Sequence, residues 1–169
     1  KGHKSKIIMS DSTVIWVNSD SRLTYPSHIE KGDNTIYLEG EAYFEVKEFA
    51  DRILNIQTNE LNIQVVGTKF NIKSYTDENF ITTSLLSGKI ILGRVDTIGN
   101  IKPIIDMQPN EEVLYDKTLN QFKIIDTKTV TKKNKQVISL QDLPKYEPID
   151  VISWKDDKLV FKNESLENI

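Results

Sequence analysis

The chain has 169 residues, 22 Lys and Arg against 25 Asp and Glu for a net charge of −3, and 38% apolar residues. That supports one β domain with a real core plus a tail, and excludes both two large domains and a disordered chain. Zero cysteines exclude disulfide staples, thiol catalysis and cysteine metal sites, and charges of both signs mixed along the chain exclude the basic stripe of a nucleic-acid binder.

Residues 6–9 and 14–17 are expected to form a hairpin around the turn formers Asp11, Ser12 and Thr13, with Trp16 its largest apolar side chain. A second turn at 18–20 leads to a short strand at 22–25, and Pro26 then removes a backbone donor, so a crossover is expected there. Gly32, Asp33 and Asn34 read as a turn into a strand over 35–39.

The stretch 38–70 carries the strongest pattern. Ala42, Phe44 and Val46 alternate with Tyr43, Glu45 and Lys47, and Leu61, Ile63 and Val65 alternate with Asn62 and Gln64, the period of two of half-buried strands. Gly40 and Gly67 bracket it as bulges, bends or points of close backbone approach. Further on, 80–86 and 89–92 read as a hairpin turned by Ser87 and Gly88. Residues 96–102 read as an exposed loop, and 111–115 and 122–125 as two more strands. About a dozen short strands with no 3.6-residue period predict a mainly β, jelly-roll-like antiparallel β-sandwich over 1–127.

From Lys128 the character changes: KTVTKKNKQ has four lysines and QDLPKYEP two prolines, the marks of a solvated linker over 128–150. Apolar spacing resumes around Trp154, Leu159 and Phe161, and Asn163 opens a helix-like start, so 151–169 is expected to begin a small, truncated α+β domain. The absent initiator Met and the end at Ile169 point to a piece of something longer. No apolar run approaches the roughly 20 residues that span a bilayer, and KGHKSKIIMS is not a signal peptide, so any anchor is expected outside these residues.

Catalytic chemistry has few candidates. His3 and His28 are too few for the metal set of a cupin-like barrel and read as surface residues. Glu39, Glu41 and Glu45 share one strand face, but their alternation with apolar neighbours places them on the wet face of a sheet rather than in an acid–base pair. No phosphate loop, nucleophile elbow or dinucleotide motif is present. The residues therefore predict no enzyme activity and no cofactor. Trp16, Tyr25, Tyr37, Tyr43 and Phe44 are expected in cross-strand packing, with a sugar-stacking platform as the alternative.

The segments KGHKSKIIMSDSTVIWVNSDSRLTYP, LEGEAYFEV, VVGTKFNIKSY, TTSLLSGKIIL and MQPNEEVLYD, in this order, resemble the FecR family of anti-sigma regulators. LEGEAYFEV and VVGTKFNIKSY are the most specific, and ISWKDDKLVFKNESLENI resembles the start of that family's following small domain. Ser12, Asp20 and Asn110 stand where the family often has Gly, each a turn former that meets the same backbone demand.

The resemblance implies the periplasmic sensor of a single-pass inner-membrane protein of a Gram-negative bacterium. Its expected partners are the signalling domain of a TonB-dependent outer-membrane receptor, a periplasmic protease, and an extracytoplasmic-function sigma factor held by a cytoplasmic segment absent from this chain. Strand addition is the expected mode of contact, and Trp154, Leu159 and Phe161 are the candidate interaction residues. The alternatives are a carbohydrate-binding sandwich using Tyr37 and Tyr43, and, less favoured, a metal-dependent jelly-roll enzyme.

Overall fold

A computed structural model describes residues 3–29, 31–49, 52–95, 101–126 and 154–155. Ten strands make up its regular structure: β1 (Ser5–Ile8), β2 (Val14–Val17), β3 (Arg22–Thr24), β4 (Gly32–Glu45), β5 (Arg52–Gln57), β6 (Leu61–Ser74), β7 (Phe80–Val95), β8 (Ile101–Met107), β9 (Glu111–Asp116) and β10 (Gln121–Asp126). The mainly β sandwich is as expected. The linker and the small α+β domain expected over 128–169 lie outside the described residues apart from Trp154 and Lys155.

Three long strands, β4, β6 and β7, organise the molecule because each serves two sheets in turn. The first sheet runs β1-β2-β4-β6-β7-β9-β10, using residues 40–45 of β4, 69–74 of β6 and the start of β7. In the second, β3 and β5 pair with the first part of β4, β5 with β6, β6 with the end of β7, and β7 with β8. Inward side chains of both sheets meet in one apolar cluster that includes Ile15, Phe44, Ile56, Ile63, Phe70, Ile90, Met107 and Val113. At its centre Phe44 and Phe70 sit opposite each other in register and stack, centroids 4.9 Å apart.

The strands change sheets at glycines. Gly40 (φ 101°), Gly67 (φ 60°) and Gly88 (φ 90°) all hold left-handed backbone inside continuous strands. A β-carbon on Gly88 would lie 2.6 Å from the Gly67 carbonyl oxygen, so the bends of β6 and β7 are packed backbone to backbone. The hairpin expected at Ser87 and Gly88 is therefore a bend: residues 80–95 form one strand, because Gly88 satisfies the same φ demand without reversing the chain.

Other expectations also change. Gly32 to Asn34 open β4 instead of forming a turn, pairing in parallel with Arg52 to Leu54. No crossover follows Pro26, since β3 pairs antiparallel with β4, its next strand. The parallel β4–β5 pair interrupts an otherwise antiparallel fold, and its crossover is β4 itself: the chain leaves the second sheet at Gly40, crosses the first, and returns to start β5 beside its own beginning. Ile101 and Lys102, expected in a loop, begin β8, which among the described residues pairs with β7 alone and so tolerates Pro103.

Candidate interaction face

In the first sheet the core takes Ile15, Ala42, Phe44, Phe70, Ile72, Leu85 and Val113, which sends the alternate residues to the opposite face. Register aligns Trp16, Tyr43, Asn71, Ser84 and Glu112 in one row across five strands, with Glu41 and Thr82 in the next row. An outward face is ordinarily wet. Here Glu41, Tyr43, Asn71, Thr82, Ser84 and Glu112 are all buried, and Glu112 is 0% exposed.

Their polar atoms are organised accordingly. Glu41 Oε1 accepts from Asn71 Nδ2 at 2.9 Å and Glu41 Oε2 from Asn18 Nδ2 at 2.7 Å. Ser84 Oγ donates to Glu112 Oε2 at 2.8 Å. Beside Glu41, Ser21 Oγ accepts the Glu41 amide, and the Tyr75 hydroxyl donates to the Ser19 carbonyl at 3.0 Å. Burial pushes the Tyr75 phenol above its ordinary value, and the nearby Glu41 charge adds to the rise. Glu41 is thus a buried acceptor rather than part of a wet face, a correction to the sequence reading. Glu39 lies before the Gly40 bend and makes only a 3.7 Å, solvent-exposed pair with Arg22.

At the β1–β2 end of this face the chain returns. Lys155 Nζ lies 4.2 Å from the Trp16 ring centroid, 4.3 Å from that of Tyr43 and 3.2 Å from Glu45 Oε1. Trp16 and Tyr43 are cross-strand partners with centroids 5.6 Å apart, so their tilted rings form two walls for the ammonium and Glu45 a third. The Lys155 side chain is 17% exposed, so this seat is largely desolvated, the setting in which a cation–π contact approaches about 2 kcal/mol. The neighbouring Trp154 carbonyl accepts from Lys4 of the chain's first residues.

Of the three residues predicted for contact, Trp154 meets Lys4 through its backbone carbonyl, while Leu159 and Phe161 lie outside the described residues. Lys155 was missed. Tyr43 and Trp16 serve a lysine and not a sugar platform: Tyr43 is 3% exposed, and the more open Tyr37 belongs to the other side of the Gly40 bend. His3 and His28 are both exposed, and among the described residues no three His, Asp or Glu side chains are grouped to hold a metal ion. An open polar groove of about 300 Å³ runs beside Arg22, Tyr37, Glu39 and Asn59, without the apolar walls typical of small-molecule sites.

The architecture defines a two-sheet sandwich with shared strands. The FecR protein family matches residues 1–90, more than half of the chain, and the chain belongs to that family. Two crystal structures of a Parabacteroides distasonis ATCC 8503 protein provisionally designated an anti-sigma factor, at 1.65 and 2.50 Å resolution, have the same fold, with TM-scores of 0.66 and 0.67. Each is 22% identical and matches over 74% of this chain and 56% of its own, so this chain spans little more than half of that protein. No curated protein matches the sequence.

Proposed function

We propose that this chain is the sensor portion of an anti-sigma regulator, lying in the periplasm on a single-pass inner-membrane protein. In this reading the signalling domain of a TonB-dependent outer-membrane receptor engages the region of Trp154, Leu159 and Phe161. The signal then passes inward, through a periplasmic protease, to free an extracytoplasmic-function sigma factor held by another part of the same protein. The carrying observation is membership of the FecR family over residues 1–90. Rigid shared strands and an organised face with a lysine seat suit a relay of contacts, which needs no reacting group.

The test is a titration of the receptor's signalling domain into the full-length protein, paired with a sigma-dependent transcription reporter. Saturable binding, weakened at least tenfold by Trp154→Ala, and a reporter that loses induction when the receptor's signalling domain is deleted, are expected. Absence of binding together with an unchanged reporter overturns the reading.

A further inference from the structure

We propose that the surface at the Gly40 bend binds a linear neutral oligosaccharide, with Tyr37 as the ring on which a sugar stacks. Two open depressions meet there, one of about 300 Å³ over Tyr37, Gln57 and Asn59 and one of about 260 Å³ over Ser5, Asn18 and Asp20. Arg22 and Glu39 line both, so the two form one trough divided by a single exposed ion pair. The bend is what makes the hollow. β4 pairs with β3 as far as Glu39 and with β6 from Gly40 onward, so the outer faces of the two sheets part at this point.

The lining has the chemistry of sugar recognition. Ile36, Leu38 and Ile56 point into the core, which sends Tyr37 and Gln57 outward, and register sets Thr24, Tyr37 and Gln57 side by side. Tyr37 is 52% exposed and offers an apolar ring to the C–H face of a sugar. Around it, the amides of Gln57 and Asn59, the Arg22 guanidinium and the Glu39 carboxylate are planar groups that present paired donors or acceptors to neighbouring hydroxyls. The frame is fixed in advance. Asn18 Nδ2 donates to the buried Glu41 carboxylate at 2.7 Å, and the buried Thr58 hydroxyl accepts the Leu61 amide at 3.0 Å, holding the turn that carries Asn59.

Other ligand classes fit less well. Glu39 offsets Arg22 and Asp20 adds a second carboxylate, so the trough does not attract an anion. It has no broad apolar wall for a hydrophobic molecule. It lies over outward side chains of three adjacent strands and not along an open edge, so a peptide cannot enter it by strand addition. The site requires neither receptor nor sigma factor, and it stands or falls apart from the relay proposed above.

Amide chemical-shift titration of the whole chain with linear gluco-, manno-, xylo- and galacto-hexasaccharides tests it. At least one of these is expected to give saturable shifts at Tyr37, Gln57 and Asn59. Tyr37→Ala is expected to weaken that binding at least tenfold and Arg22→Met at least threefold. Tyr25→Ala, which removes a 42% exposed ring outside both depressions, is expected to change it less than twofold. Both lining residues are exposed, and unchanged shifts in the core strands of each variant show that the fold is kept. No shift with any of the hexasaccharides, a loss below twofold in both Tyr37→Ala and Arg22→Met, or tighter binding of a galacturonate hexasaccharide overturns the proposal.

Discussion

Arg52 closes over Asp11, joining the β1–β2 turn to the start of β5, with the two side chains only 7% and 8% exposed. Arg52 Nη2 also donates to the Lys47 carbonyl at 2.9 Å, and its guanidinium lies 4.4 Å from the Phe49 ring centroid. Asp11 accepts from the Thr13 amide at 2.9 Å and the Thr13 hydroxyl at 2.7 Å. Every strong donor around this carboxylate is therefore fixed. Arg52→Ala leaves a buried carboxylate without its cation, and a loss of about 3–5 kcal/mol is expected in urea unfolding, against a smaller loss for Asp11→Asn with Arg52→Met together.

The same pair sets an acid limb. Burial alone would raise the Asp11 pKa, but the Thr13 hydrogen bonds and the Arg52 charge outweigh it and hold the carboxyl below its ordinary value of 3.8. A folded pKa below the unfolded one adds stability that is present above the unfolded value and is lost as pH falls through the folded one. Between about pH 5 and pH 2, the fall in stability is expected to be shallower in Asp11→Asn than in the unmodified protein, as read by denaturant midpoints at each pH.

Gly88 and Gly32 separate backbone strain from collision, since both have φ 90°. Nothing lies within 4 Å of a β-carbon built on Gly32, whereas on Gly88 it would meet the Gly67 carbonyl oxygen at 2.6 Å. Gly32→Ala is expected to cost about 1–2 kcal/mol from the left-handed backbone alone. Gly88→Ala is expected to cost at least about 2 kcal/mol more, because the bends of two strands must part. Equal losses in thermal unfolding would show that the bends yield freely.

Ser12 runs the opposite way. It holds φ 69° in the turn where the Met9 amide donates to the Thr13 carbonyl and the Ser12 amide donates to the Met9 carbonyl. Ser12→Gly removes that strain at some entropic cost in the unfolded chain, and a net gain of up to about 1 kcal/mol is expected, a rise of about 2–4 °C in melting temperature.

Strand alternation carried the core into view: Ala42, Phe44 and Val46, and likewise Leu61, Ile63 and Val65, are all buried as their spacing implied. The turn substitutions were legible too, since Ser12, Asp20 and Asn110 all take positive φ. What escaped was set by distance or by ambiguity. A Ser-Gly pair has the same local preference in a hairpin turn and in a strand bend, so Ser87 and Gly88 could not reveal which. Strand β8 is almost wholly exposed on one edge and contains Pro103, which erases the alternation that marks a strand. Burial of Tyr43 and Glu41 does not follow from strand alternation, and the Lys155 contact with Glu45 spans 110 residues, beyond any local pattern.

Because β4, β6 and β7 each run unbroken through both sheets, neither sheet has a hydrogen-bonded ladder it can surrender alone. Opening the second sheet frays strands on which the first depends, so the sandwich melts as a single cooperative unit. Partial unfolding is expected at the peripheral strands β1, β3, β8 and β10, each bonded to one neighbour among the described residues. A pull applied at Lys155, beside the strand common to both sheets, is thus borne by the whole domain at once.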